Sequence, residues 1–334
     1  MVEWSDFPIK NLIVNRLDYE SRCNLRLCSK ADQTAVDNTK FVPDFIEIEE
    51  VPSEMVLDKT MIRVGIDSFS IWFTGVNGIT KVDRAWNKEM SHLEERKAEP
   101  RHDVARRYLD NFFRKHVIEA RKITIRLLEM KPSENWTLKC NILNVFHQNG
   151  DPDWALDWLR KVGSPLRSLH MQHSNLNGIR HIPQVLNVTE SLILTDGCDL
   201  NGRDLEDLSV TTLDVTSFFV TFHTIRVSLE RYLRIGRKSD YMNFEIPLPT
   251  DEFFNPLSLL PPGIIMRNVK RGASSAEFRG CIVGGYTNEV GNQRDLRFEC
   301  VPYGRERLTI SIQRDDPQTY REHPLPLYPF TSRW

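Results

Sequence analysis

The sequence lacks long hydrophobic runs: none of its 334 residues lies in an apolar stretch near the roughly 18 residues that a membrane span requires. Residues 1–10 are acidic before they are apolar, so they lack the basic start and apolar core of a signal peptide. The charges nearly cancel, with 46 acidic and 44 basic side chains, so no global field attracts nucleic acid or an anionic membrane. We therefore expect an intracellular protein that has no membrane partner and no nucleic-acid ligand.

The motifs of common catalytic and metal sites are also missing. The six cysteines contain no C-x-x-C pair, and the chain has no G-x-G-x-x-G, P-loop, H-E-x-x-H or G-x-S-x-G motif. His170 and His173 are three positions apart, which on a strand places them on opposite faces and makes them a poor chelating pair. The sequence predicts no metal, no cofactor and no catalytic residue.

What remains is the composition of a folded globular chain, with 40% hydrophobic and 27% charged residues. A length of 334 residues suggests about two domains at roughly 150 residues each. The hydrophobic period changes from helical to alternating near residue 41. We therefore predict an N-terminal module over residues 1–40 that packs separately from a larger domain over residues 41–334.

The first forty residues predict three short helices. Pro8 suits a first helical turn, a second helix fits residues 22–28, and Ser29 with Asp32 resembles a capping box that opens a third. One apolar stripe recurs at helical spacing and consists of Ile9, Leu12, Ile13 and Leu17. Helices this short bury little apolar surface by themselves, so the stripe needs a partner.

Strands are predicted from residue 41 to about residue 83, followed by one long amphipathic helix over residues 92–122. The run from Arg96 to Lys131 carries eleven basic and five acidic residues. We interpret this excess as a solvated helix face, and a nucleic-acid footprint is the alternative.

The segment from about 123 to 247 has the most regular pattern. Apolar pairs two positions apart recur at Leu169 and Met171, at Leu192 and Leu194, and at Leu213 and Val215. Their intervals fall within the window of about 20 to 29 residues that is typical of leucine-rich repeats. Candidate helices lie between them, at residues 179–186, 203–208 and 218–235. We predict an irregular, leucine-rich-repeat-like array of parallel strands and helices.

The last predicted section, about residues 274–314, is antiparallel. Leu296, Phe298 and Cys300 alternate, as do the apolar residues of 308–312, with a turn at 302–306. Gly284 and Gly285 are interpreted as a hairpin turn. The predicted fold class is therefore mixed, α+β with α/β: a three-helix module, the repeat-like array and a C-terminal strand section.

Three segments carry a resemblance to a known family: Trp4-Ser-Asp-Phe-Pro8, Leu17-Asp-Tyr-Glu-Ser-Arg22 and Leu25-Arg-Leu-Cys-Ser-Lys30. They resemble an F-box, in the form common in nematode F-box families. The later chain resembles the F-box-associated domain type 2 of those families in the order of its elements. In one departure, the interval from Pro8 to Leu17 is shorter than is usual for an F-box.

The resemblance implies the substrate-recognition subunit of a Skp–cullin–F-box ubiquitin ligase. The F-box would bind a Skp-type adaptor, and through it a cullin, while the associated domain would capture a protein substrate. The residues at or near the family's adaptor-contacting positions are Phe7, Pro8, Leu12, Ile13, Leu17, Leu25 and Cys28. Some of them are also candidates for packing against residues 41–83. Such a subunit holds no catalytic residue, because other subunits transfer the ubiquitin.

The substrate surface is predicted on the array. On a strand whose Leu169 and Met171 point inward, His170 and Gln172 point outward and can vary without disturbing the core. Two alternatives remain open. The shortened F-box favours a non-catalytic interaction scaffold that no longer binds the adaptor, and an enzyme hidden in residues 123–320 would require a site that the sequence does not show.

Overall fold

The computed structural model divides the chain into two compact units, residues 1–198 and 199–334. Its described residues are 10–52, 60–86, 89–97, 99–115, 118–126, 130–146, 151–163, 165–173, 175–235, 241–248, 254–272, 276–287, 293–303 and 306–314. The division after residue 198 differs from the predicted one after residue 40, which stays a prediction.

The first unit begins with three helices and continues with a nine-stranded sheet. The helices are α1 (Lys10–Arg16), α2 (Tyr19–Cys28), α3 (Lys30–Asn38), α4 (Arg101–Lys115), α5 (Pro152–Arg160) and α6 (Pro183–Leu186). The strands are β1 (Phe45–Pro52), β2 (Thr60–Ile66), β3 (Phe69–Val76), β4 (Ile79–Trp86), β5 (Glu89–Lys97), β6 (Ala120–Arg126), β7 (Cys140–Phe146), β8 (Ser168–Gln172) and β9 (Ser191–Cys198). Their order across the sheet is β9-β8-β7-β6-β1-β2-β3-β4-β5.

Half of this sheet is parallel and half is antiparallel. Strand β1 pairs parallel with β6, and the parallel pairing continues through β7 and β8 to β9. On its other side β1 pairs antiparallel with β2, and β2 to β5 form a meander. The predicted strands at 169–171 and 192–194 are therefore parallel neighbours in the array. The assignment to leucine-rich repeats stays a prediction.

Alternation along the strands gives the sheet an inner and an outer face. Leu169 and Met171 on β8 are fully buried, as are Ile46 and Ile48 on β1. Helix α4 lies against this inner face, where the ring centre of Tyr108 is 5.9 Å from that of Phe73. The inner face therefore forms the core of the unit.

The prediction of one long helix over residues 92–122 is wrong. Its first residues form β5, which pairs with β4, and its last residues belong to β6. Only α4 is helical, and it begins directly after Pro100, whose carbonyl accepts from the Val104 amide. The helical spacing in the sequence is real within α4 and does not extend beyond it. The basic run from 96 to 131 is thus divided among strands and a helix.

The sequence analysis missed β7 and α5. Leu143 and Val145 of β7 point inward, but Ile142 and Phe146 are apolar on the outer face, so the strand shows no alternation in the sequence. The predicted helix over residues 179–186 is shorter than expected: a 3-10 turn, Ile179–His181, precedes α6. Proline at 183 disfavours the helical conformation of Ile182 and separates the two.

A buried arginine ties the three N-terminal helices to the start of the sheet. Arg22 has no exposed surface, and its guanidinium donates to the carbonyl oxygens of Leu17, Thr39 and Lys40 at 3.2, 3.0 and 3.0 Å. The same group lies 4.8 Å from the centre of the Phe41 ring. These contacts join the start of α2, the end of α3 and the segment that leads into β1.

An aromatic cluster then packs the helices on the sheet. The ring of Tyr19 on α2 lies 5.1 Å from that of Phe69 on β3 and 5.3 Å from that of Phe112 on α4, centre to centre. Its hydroxyl is 3.0 Å from the hydroxyl of Tyr108. The expectation that the helices pack separately from residues 41 onward is therefore wrong, because Tyr19 is buried among residues of the sheet and of α4.

The second unit contains α7 (Gly202–Asp207), α8 (Phe222–Ile235) and a 3-10 helix at Pro256–Leu259. Its strands are β10 (Thr212–Ser217), β11 (Met242–Pro247), β12 (Met266–Arg271), β13 (Phe278–Thr287), β14 (Gln293–Tyr303) and β15 (Arg307–Arg314), in the order β12-β13-β14-β15-β11-β10. Strands β10 and β11 are parallel, and β14 and β15 form the predicted antiparallel hairpin.

The predicted glycine turn in this unit is wrong. Gly284 and Gly285 lie inside β13, where the register with β14 shifts between Ile282 and Tyr286. Gly284 has a φ of 62°, which suits glycine at such a bulge.

We expect Arg22→Ala to lower the free energy of unfolding by about 3 kcal/mol, because one buried and two part-buried carbonyls lose a charged donor. The matched control is Arg26→Ala, which removes a partly exposed ion pair with Asp37 and should cost no more than about 1 kcal/mol. Urea unfolding followed by tryptophan fluorescence measures both. Equal losses in the two variants would show that Arg22 is not an anchor.

Candidate functional site

The N-terminal helices expose two large apolar side chains. Leu12 on α1 is 63% exposed, and Leu27 on α2 is 86% exposed. Helix α2, which carries Leu27 near its end, is capped at its start, where the Asp18 carboxylate accepts from the Ser21 amide. Exposed leucines on short, well-capped helices are typical of a surface that binds a partner.

The structure places the predicted adaptor residues in three groups. Leu12 and Cys28 are exposed, whereas Ile13, Leu17 and Leu25 are half-buried. Phe7 and Pro8 lie outside the described residues. The half-buried residues are partly packed within the fold and partly accessible, and their contact with an adaptor stays a prediction.

Leu27 was missed, and so was Val42, which is 59% exposed just before β1. Leu27 follows neither the stripe of α1 nor the spacing of Leu25 and Cys28, so periodicity gave no signal for it. No sequence pattern identified it, because its exposure follows from how α2 packs through the buried Tyr19 and Arg22.

An ion pair fixes α2 against α3. The Arg26 guanidinium donates to both carboxylate oxygens of Asp37, from Nε at 2.5 Å and from Nη2 at 3.0 Å. A bidentate pair sets the relative orientation of two helices as well as their distance. The exposed end of α2 is therefore held in one position.

The second surface is the outer face of the nine-stranded sheet. From β1 to β9, most described outward side chains are exposed or half-buried, while most inward ones form the core. The buried outward side chains are Thr124 and, where β6 and β7 begin, Ala120 and Cys140. This face divides into a charged part on β1 to β6 and an uncharged part on β7 to β9.

The charged part is a connected network. Arg63 on β2 donates to the carboxylates of Glu47, at 3.0 Å, and of Glu49, and it lies 5.6 Å from the centre of the Trp72 ring. Arg126 on β6 lies 3.5 Å from a Glu47 oxygen. Arg63 is thus held by two carboxylates and an aromatic ring, and Arg126 lies beside one of the same carboxylates.

We call the uncharged part the neutral block. It comprises nine outward positions on three adjacent parallel strands, aligned by the pairing of β7 with β8 and of β8 with β9. Its residues are Ile142, Asn144, Phe146, Ser168, His170, Gln172, Ser191, Ile193 and Thr195. The predicted substrate residues His170 and Gln172 therefore lie on the outer face, in the middle strand of the block.

His170 is less exposed than the sequence predicted. It is half-buried, and its ring meets that of Phe146 edge to face at 4.7 Å, centre to centre. Burial, with a smaller contribution from the positive charge of Lys122, lowers the pKa of His170 to about 4. The imidazole is therefore neutral at physiological pH, and the block carries no charge there.

The described residues offer little reactive chemistry. Burial raises the pKa of the Cys140 and Cys300 thiols to about 12, so neither is a thiolate nucleophile at neutral pH. In the parts of the chain that the structure describes, no three His, Cys, Asp or Glu side chains group to hold a metal ion. None of the described helices is long and apolar enough to cross a membrane.

Comparison with family models identifies one match: residues 4–43 match the F-box domain. The match covers α1 to α3 and the segment leading into β1, and it supports an F-box protein. F-box domains in general bind Skp-type adaptors, which link to a cullin, and indicate a substrate-adaptor role in Skp–cullin–F-box ubiquitin ligases. Proteins that carry them are typically non-catalytic subunits. No curated protein and no solved structure matches the chain.

The burial of His170 predicts a specific pH dependence of stability. Its pKa is about 4 in the folded chain and near 6.5 when unfolded, so the unfolded state takes up the proton first. Stability contributed by neutral His170 is complete above about pH 6.5 and is lost as the pH falls toward 4. We expect His170→Gln to reduce the loss of melting temperature between pH 7 and pH 5.

The control for this measurement is His181→Gln, which replaces an exposed histidine of the same unit and should leave the pH dependence as in the unsubstituted chain. An identical pH profile for His170→Gln and the unsubstituted chain would contradict the burial of His170.

Proposed function

We propose that this chain is the substrate-recognition subunit of a Skp–cullin–F-box ubiquitin ligase that bridges a Skp-type adaptor to a protein substrate. One observation carries the proposal: the segment that matches the F-box domain is the segment whose helices expose Leu12 and Leu27. Because the proposal rests on the F-box match, it includes an intracellular site of action. The substrate and the compartment within the cell are left open.

The adaptor contacts are proposed to be made by the predicted residues together with Leu27. Burying a leucine side chain in an interface contributes about 2 kcal/mol, so two exposed leucines on one module can support specific binding. Ile13, Leu17 and Leu25 are half-buried, and we propose that their accessible parts belong to the same adaptor-binding surface.

The substrate is proposed to contact the neutral block through His170 and Gln172. The outward direction of both side chains supports this part of the proposal, since replacing them leaves the buried Leu169 and Met171 in place. We extend the proposal to the nematode type of F-box family, with a repeat-like, F-box-associated region after residue 41. The order of helices and strands is what supports that finer assignment.

No step of ubiquitin transfer is assigned to this chain. The other subunits of such a ligase activate and move the ubiquitin, and this chain would contribute proximity by holding the substrate near them. Its work is therefore binding at two surfaces.

A non-catalytic scaffold that no longer binds the adaptor is the second candidate. It is favoured by the interval from Pro8 to Leu17, which is shorter than is usual for an F-box. Adaptor binding decides between the two candidates.

We expect the full chain to capture a purified Skp-type adaptor, and Leu12→Asp with Leu27→Asp to weaken that binding at least about thirtyfold. The reason is the loss of apolar burial of about 2 kcal/mol or more. Because both side chains are exposed, the melting temperature should stay nearly unchanged. Calorimetric titration measures the affinity.

The matched control is Ile265→Asp, which introduces the same charge at a 71% exposed apolar residue of the second unit and should leave adaptor affinity unchanged. Failure of the unsubstituted chain to bind the adaptor would select the scaffold. Equal binding by the double variant would move the adaptor surface away from Leu12 and Leu27.

A further inference from the structure

We propose that the neutral block recognises an uncharged segment of the protein substrate and discriminates against charged ones. This inference rests on the proposed function, because it specifies the chemistry of the substrate at the surface already assigned to it.

The distribution of charge on the outer face is the first observation. Outward positions carry Lys122 and Arg126 on β6, next to the block, and Glu47 and Glu49 on β1, one strand further away. On β7, β8 and β9 none of the nine outward positions is acidic or basic, and the one titratable residue, His170, is held neutral by burial. In a chain with 27% charged residues, such a gap on a solvent-facing sheet marks a distinct surface.

This arrangement corresponds to the anatomy of a protein–protein interface. Interface centres are depleted of charged residues and contain aromatic side chains, while the rim is polar and charged. Phe146 and Ile193 supply apolar area within the block, and Asn144 beside His170 supplies hydrogen-bonding groups. The charged network on β1 to β6 forms one rim.

Contacts within the outer face hold the Phe146 ring in place before a partner binds. Phe146 is fixed on one side by the edge of the His170 ring at 4.7 Å and on the other by the Arg126 guanidinium, 5.3 Å from its ring centre. Less side-chain freedom is then lost on binding, which improves affinity.

Discrimination follows from desolvation. A carboxylate or ammonium group seated over Asn144 and His170 would lose water to two neutral side chains, which is costly in a half-buried setting. The positive charges of Lys122 and Arg126 lie on the neighbouring β6, outside the block, so they offset only part of this cost for a carboxylate and none of it for an ammonium group. An uncharged segment pays no such cost and gains the apolar contact with Phe146 and Ile193. The surface therefore selects its substrate by excluding charge.

The test uses the full chain and a phage-displayed library of random 12-residue peptides. We expect the selected peptides to be depleted of Asp, Glu, Lys and Arg relative to the library. For a synthesised selected peptide, Asn144→Lys should weaken binding at least about tenfold, because it places a charge within the block, beside His170. Gln172→Lys at its border serves as a second variant if Asn144→Lys melts at a lower temperature.

The matched control is Ser70→Lys, which adds the same charge at an outward position of β3 and should change peptide affinity less than about twofold, as expected for a site without shared contacts. Adaptor capture by all three variants should equal that of the unsubstituted chain. If the unsubstituted chain binds the peptide but does not bind the adaptor, the ligase assignment is overturned and the block remains a binding site.

Four results would overturn the inference itself. One is selection of charged peptides, and another is peptide binding that neither Asn144→Lys nor Gln172→Lys weakens. The third is a concentration-dependent dimer that Asn144→Lys dissociates in analytical ultracentrifugation, since this would show that a second copy of the chain occupies the block. A selection that yields no binding peptide at all would likewise count against it.

Discussion

The contacts of Tyr19 with Phe69 and Phe112 decide how the first unit is built. Short helices such as α2 and α3, of ten and nine residues, bury little apolar surface by themselves, so the ring of Tyr19 inserts between β3 and α4, which supply the missing surface. Arg22 then connects α2 to the end of α3 and the segment before β1, because its guanidinium donates hydrogen bonds to three carbonyl oxygens. The helices are consequently part of the core of the sheet.

Packing on one face of the sheet leaves the other face accessible. The inward residues of β1 to β9 are covered, whereas the outward ones are a charged network followed by the neutral block. The exposed leucines of the helices and the neutral block therefore belong to the same compact unit. A receptor that must hold an adaptor and a substrate at a fixed separation benefits when both binding surfaces lie on one compact unit, because less conformational freedom is lost when both partners are bound.

The sequence could predict elements whose buried and exposed positions differ in polarity. The pairs Leu169 with Met171 and Leu192 with Leu194 gave β8 and β9, because polar residues separate them. Strand β7 was missed since Ile142 is apolar on the open face, and the helix predicted from residue 92 failed because β5 is an exposed strand with few apolar residues. The candidate site followed the same rule: outward His170 could be found by alternation, but its burial depends on Phe146 from another strand, and Leu27 belongs to no pattern.

The central claim, that the N-terminal helices share a core with the sheet, is tested most directly by a double-mutant cycle between Tyr19 and Phe69. The free energies of unfolding of the unsubstituted chain, Tyr19→Ala, Phe69→Ala and the double variant give the coupling between the two rings. Rings whose centres are 5.1 Å apart should couple by about 1 kcal/mol. Strictly additive losses would contradict the account and would mean that the helices fold independently of the sheet.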